Sequence, residues 1–205
     1  MALKHQAEHA GKWRMALRQA KAHLPGALPP LLCLTDPERM PDPVGVAQAL
    51  PQGTGVIYRH FGASERLDIA AILAGVSRAR GLTLLIAADP LLALEVGADG
   101  VHWPERKLPR ARNWRGRFGF QTASAHSRRA IWRAGQAGMD AVLVSTVFAS
   151  NSPSAGRPIG PARLARLALT SAIPVYGLGG VNADNARQIS EFAGLAAVEA
   201  LAGPT

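Results

Sequence analysis

Cysteine is almost missing from this sequence: Cys33 is the only one in 205 residues. One thiol closes no internal disulfide and builds no thiolate metal cluster. Its place in the apolar run Leu-Leu-Cys-Leu predicts a buried thiol in a reducing compartment. Charged residues are few, 18% against 48% hydrophobic, which is the composition of a globular domain and not of a disordered chain. No apolar run reaches the roughly 18 residues that span a bilayer, and the basic N-terminus lacks an apolar stretch leading to a cleavage site. Neither a spanning nor a secretory segment is expected, and the cytoplasm is the expected location. Metal-ligand spacing is absent too: Asp89 and Asp99 belong to no cluster, so no metal site is predicted. Ser124 and His126 lie two apart with no third partner, which leaves no Ser-His-Asp arrangement to assemble.

What is abundant is positive charge and turn residues. The formal net charge is +9, carried mostly by arginine. The arginines are scattered, and the densest group, from Arg106 to Arg117, lacks the pattern of a recognition helix. A phosphorylated small molecule is the expected partner, not nucleic acid or membrane. With 21 glycines and 15 prolines, many tight turns are expected.

Along the chain, Trp13, Leu17, Ala20 and Leu24 recur at helical spacing and predict a helix from about 11 to 24, ended by Pro25 and Gly26. Short apolar strands are predicted at 31–34, 55–58, 82–87, 100–103, 118–122, 141–145, 173–176 and 194–198. Helical stretches at 64–80, 90–96, 128–137, from Pro161, and 184–192 separate several of them. Strands alternating with helices argue for parallel pairing, and eight is the number that closes a (β/α)8 barrel. The expected organisation is an N-terminal extension over 1–28 and a barrel over 29–205. The N-terminal helix is expected to pack against the bottom or side of the barrel. The eighth helix is expected to be missing, very short, or supplied by the N-terminal helix.

In such a barrel function sits at the C-terminal ends of the strands. Gly179 and Gly180, after the seventh strand, would let backbone N–H groups approach a phosphate, or form a tight turn with no ligand. His126 follows the fifth strand and could pass a proton or contact a ligand, or bond loop backbone. His102 lies inside the fourth strand and is expected to be packed or hydrogen-bonded in the core. One of Arg59 and His60 should face the mouth, because side chains alternate along a strand. Asp36 could orient a ligand amine or cap its turn with Pro37. Arg157, in the Ser/Pro/Gly-rich loop 148–160, could close over an anion or stay solvated. Asp99, just before a strand, is expected to serve the turn at the barrel bottom.

Several segments taken in order resemble the thiamine-phosphate synthase and thiazole tautomerase family: Leu34-Thr35-Asp36, Ala98-Asp99-Gly100-Val101-His102, Ser124-Ala125-His126-Ser127, Val147-Phe148 and Gly177-Leu178-Gly179-Gly180-Val181. The resemblance runs from about 31 to 201. It implies a barrel handling phosphorylated thiamine precursors. The synthase joins hydroxymethylpyrimidine diphosphate to thiazole phosphate with magnesium, whereas the tautomerase moves a proton without it. Carried over, Gly179 and Gly180 match the thiazole phosphate cradle, with Val198 at the end of the last strand, where Glu199 replaces a small serine and would repel a phosphate unless it turns away or is protonated. His126 matches the histidine of proton transfer, and Arg59 the arginine of a Gln-x-Arg-x-Lys strand.

The departures fall where the synthase holds magnesium diphosphate. An Asn-Asp pair becomes Ala87 and Ala88, a metal carboxylate becomes Lys107, and a loop lysine becomes Pro153. Lys107 could itself meet an anion. Magnesium is therefore implied only if the synthase reaction persists. The alternatives are tautomerase-type proton transfer and non-catalytic binding of a phosphorylated thiazole or thiamine phosphate. The oligomeric state stays open.

Overall fold

A computed structural model describes residues 2–152 and 155–198, with side chains from residue 8 onward. Its strands are β1 (Leu31–Leu34), β2 (Gly55–Tyr58), β3 (Thr83–Ala87), β4 (Gly100–Trp103), β5 (Phe120–Ala125), β6 (Ala141–Ser145), β7 (Val175–Leu178) and β8 (Gly194–Ala197). Each pairs in parallel with the next, and β8 returns to β1 through Leu31↔Leu195 and Cys33↔Ala197. The barrel is closed, as expected from eight apolar strands.

The alternation of side chains sorts the strands into two apolar layers. Leu32, Leu34, Ile57, Leu85, Phe120, Leu143 and Tyr176 fill the barrel. Cys33, Val56, Tyr58, Ile86, Trp103 and Val142 face the surrounding helices. Cys33 is buried, and burial pushes its thiol up to about 12, so it is inert at neutral pH.

The helices are α1 (Ala2–His23), α2 (Pro43–Ala49), α3 (Arg66–Arg80), α4 (Pro90–Val96), α5 (Leu108–Ala111), α6 (Arg128–Gln136) and α7 (Gly160–Leu169). Side chains of Asp42, Asp89 and Ser127 cap α2, α4 and α6 by accepting an amide three residues on. Single 3-10 turns occupy Glu105–Lys107, Arg112–Trp114 and Ala186–Gln188. Asp99 serves the barrel bottom as expected, its carboxylate accepting from Leu84 N at 2.7 Å.

Helix α1 lies against β8 and the turn Ala186–Gln188, burying Trp13, Ala16 and Ala20. Burying the Trp13 ring alone is worth about 2 kcal/mol or more. Ser190 Oγ donates to Gln19 Oε1 at 2.8 Å across this contact.

Four sequence expectations need correction. Helix α1 starts at Ala2 and not near Gly11, because the preceding residues are good helix formers without an apolar stripe. β5 and β7 both start two residues later than expected, and pairing with their neighbours continues to Trp103↔Ala123 and Ser145↔Leu178. The helix expected at 184–192 is only the turn Ala186–Gln188. There Asn182 Oδ1 accepts from Asp184 N and Asn185 N, and Asn185 Oδ1 accepts from Asn182 N, so side chains compete for the backbone of a helix start. Helix α2 and the helical stretch from Glu105 to Trp114 have no counterpart in the expected elements.

Candidate functional site

A cavity of about 360 Å³ opens at the C-terminal ends of β2, β6, β7 and β8. Its wall brings together Arg39, Arg59, Thr146, the 149–152 stretch, Gly179 to Asn182, and Val198. β7 ends at Leu178, and the next two residues take positive φ, +95° at Gly179 and +64° at Gly180. A β-carbon at Gly179 would stand 2.7 Å from Thr146 Cγ2, and one at Gly180 would stand 2.2 Å from the Ala149 carbonyl oxygen. Only glycine fits either position. Among the described residues, the N–H groups of Gly179, Gly180 and Val181 donate no hydrogen bond to the protein. Consecutive unpaired amides on a cavity wall suit an oxyanion. Gly177 differs from both: it lies within β7, and a β-carbon there would meet Ile189 and Leu164 in the outer layer.

The same cavity is lined by two arginines set by one carboxylate. Asp36 Oδ1 caps its turn, accepting from Glu38 N and Arg39 N. Asp36 Oδ2 accepts from Arg39 Nη2 at 2.8 Å and Arg59 Nη2 at 3.4 Å. The Arg39 hydrogen bond, aided by the nearby Arg59 charge, holds the Asp36 carboxyl at about 2. Arg59 Nε also donates to the Thr35 carbonyl at 2.7 Å. Asp36 thus both caps its turn and organises guanidiniums.

Alternation decides between Arg59 and His60. Ile57 points into the barrel, so Arg59 reaches the mouth while His60 turns outward beside Tyr58, with ring centroids 5.0 Å apart. His60 is buried away from the cavity, and burial lowers its pKa. The remaining candidates separate. Val198 lines the cavity, and Arg157 is exposed outside its lining. Lys107 is half-buried beyond β4, on neither wall. Glu199 and Pro153 lie outside the described residues. His126 lines a second cavity that shares no residue with the first. There Glu105 Oε2 accepts from His126 Nδ1 at 2.8 Å, and Glu105 Oε1 accepts from Arg133 Nη2 at 2.8 Å.

Sequence reasoning missed Arg39 and the Glu105–Arg133 pair. The Asp36 turn offered a signal for Arg39, three residues on. Nothing local announces an ion pair between two barrel segments.

His102 is the core residue expected. Its Nδ1 pairs with Thr122 Oγ1 at 2.8 Å and its Nε2 with Ser124 Oγ at 3.0 Å. Burial drives it down to about 3, so it stays neutral when folded and takes a proton near 6.5 when unfolded. The unfolded chain then binds more protons, and stability falls as pH drops from about 6.5 towards 3. The slope from this one group reaches about 1.4 kcal/mol per pH unit. Asp36 adds its own loss only below about 4. Urea unfolding between pH 7 and pH 4.5 (roughly the window of one imidazole) should show a shallower slope in His102→Gln than in the parent. Equal slopes would remove His102 from this role.

The residues present do not fit magnesium diphosphate. The positions that resemblance gives to its carboxylates hold Ala88 and Lys107. Asp89, one position off, is spent: Oδ1 caps α4 through Leu92 N, and Oδ2 pairs with Arg66 Nη1 at 2.5 Å. Among the described residues no group of three or more His, Cys, Asp and Glu side chains could hold a metal ion.

Fold and site together define a (β/α)8 barrel with a glycine turn of unpaired amides after β7. The thiamine monophosphate synthase family model matches residues 31–201, and the chain belongs to that family. The thiamine-phosphate synthase of Roseiflexus sp. (strain RS-1) is 31% identical over 166 residues, covering 77% of this chain and 70% of that protein. The thiamine-phosphate synthase of Lactococcus lactis subsp. cremoris (strain MG1363) is 28% identical over 152 residues, 72% of this chain and 69% of that protein. Among solved structures, a thiamine phosphate pyrophosphorylase from Pyrococcus furiosus superposes with a TM-score of 0.72 at 26% identity, covering 84% of this chain and 85% of that one.

Proposed function

We propose that this protein binds a phosphate monoester of the thiamine-precursor class, thiazole phosphate or thiamine phosphate, in the β7–β8 cradle, and does so without magnesium. The observation that carries this reading is the set of unpaired amides at Gly179, Gly180 and Val181 lining one cavity with Arg59. Relatives named thiamine-phosphate synthase support the ligand class. The phosphate would sit on the amides. Arg59, steadied by Asp36 and the Thr35 carbonyl, would present its remaining guanidinium N–H groups, and Val198 would lie against the body of the ligand.

Joining hydroxymethylpyrimidine diphosphate to thiazole phosphate needs a held diphosphate as well. With Ala88 and Lys107 in place of carboxylates and Asp89 tied to Arg66, the support for that reaction is weak. Tautomerase-type proton transfer needs a base at the ligand, and His126 lines the other cavity.

Calorimetric titration with thiazole phosphate, in magnesium and again in chelator, tests the proposal. The expected result is the same affinity in both, weakened about tenfold or more in Arg59→Gln through loss of a charge-assisted bond. Affinity that vanishes in chelator, or that ignores the Arg59 change, would overturn it. Thiamine phosphate formation from both substrates with magnesium would restore the synthase reading.

A further inference from the structure

The second cavity, about 700 Å³, runs between the helical stretch from Glu105 to Trp114 and helix α6. Its charge is built in a particular way. Three guanidiniums, Arg106, Arg112 and Arg133, line it against a single carboxylate, Glu105. Both oxygens of that carboxylate are already engaged. One oxygen takes both the amide and Nδ1 of His126, and the other takes Arg133. The guanidiniums of Arg106 and Arg112 have no hydrogen-bond or ion-pair partner among the described residues, and both residues are exposed and line the groove. Donation to Glu105 requires the proton on Nδ1 of His126, which leaves Nε2 without a protein partner. Leu108, Pro109 and Ala137 add an apolar surface to the same wall.

We propose that this groove is a second small-molecule site, independent of the β7–β8 cradle, that takes an organic dianion: a phosphate monoester or a dicarboxylate. Glu105 is the positioning residue. It orients Arg133 and His126, and by being neutralised it ceases to repel an anion. The charge left over is that of two guanidiniums, which a dianion matches, and their planar forks suit carboxylate and phosphate oxygens alike. The apolar patch asks for a carbon body on the ligand in place of a bare ion. A concavity of this size is typical of small-molecule sites. Because the two cavities share no lining residue, occupancy of one does not require the other.

The test is a titration of the whole protein with phenyl phosphate, and separately with succinate, followed by amide NMR shifts. Amides near His126 and Arg133 report on the groove, and those near Gly179 and Val181 report on the cradle. The groove set is expected to move along its own binding curve. In Arg106→Gln/Arg112→Gln its dissociation constant should rise about tenfold or more, with the cradle curve unchanged. Both side chains are exposed and unpaired, so the double variant is expected to keep the parent's thermal unfolding midpoint. In Gly180→Val the groove curve should persist while the cradle curve is lost. Movement with phenyl phosphate alone identifies a phosphate ester, and movement with succinate as well identifies a general dianion site. Groove amides that stay still throughout, or whose curve ignores the double arginine change, overturn the proposal whatever the cradle does.

Discussion

Gly180→Val is expected to cost roughly a hundredfold in affinity for thiazole phosphate, about 3 kcal/mol, with the barrel still folded. Three effects add. The backbone there has φ +64°, a conformation that costs a β-branched residue energy. A β-carbon would overlap the Ala149 carbonyl oxygen at 2.2 Å, which is backbone and cannot swing aside as a side-chain tip would. The glycine turn or the 149–152 wall must therefore move, and either shift spoils the alignment of the Gly179, Gly180 and Val181 amides. Gly156→Ala is the control: it lies in the same loop region, its β-carbon would enter open space, and its affinity should match the parent. Calorimetry on both variants, beside circular dichroism to confirm folding, checks the result. Parent-like affinity in Gly180→Val would mean that the cradle holds no phosphate.

The largest stability effect is expected at Gly100→Ala, about 4 kcal/mol or more, or a chain that fails to accumulate folded. Gly100 opens β4 and stands opposite Phe120 of β5. A β-carbon at position 100 would lie 1.6 Å from the Phe120 carbonyl oxygen, far inside contact distance. Relief would require β4 and β5 to separate, in a closed barrel where each strand is held on both sides. Close packing leaves no slack to absorb this. Denaturant unfolding measures the loss, and a change below about 1 kcal/mol would show that the strands yield more readily than their packing implies. The contrast with position 180 is instructive. Both glycines admit backbone where a side chain would intrude, but one does so to close the barrel and the other to leave a cavity wall lined with amides.

Much of the fold is legible in the chain. Leu31 to Leu34 and Gly55 to Tyr58 declare themselves as strands because a barrel strand is covered on both faces and reads as an unbroken apolar run. The glycines after β7 announce a special turn. Local pattern sets β5 and β7 two residues early because a strand ends where its neighbour stops pairing, and no local pattern records that. In the sequence His126 looks like the natural partner of the cradle, since both follow barrel strands. The tertiary structure gives it to another cavity because Glu105 fixes its Nδ1 and its amide.

The sequence by itself determined the eight strands, the barrel, the family and the two glycines of the turn after β7, because each is written in local pattern or backbone permissiveness. Only the tertiary structure decided which charges are free. Asp36 and Asp89 look equally available in the sequence. Barrel closure brings Arg59 to the Asp36–Arg39 turn at a cavity wall and spends Asp89 on Arg66. A carboxylate's chemistry depends on the cations within a few ångströms of it, and Arg59 and Arg66 come to theirs from elements that meet only when the barrel is shut.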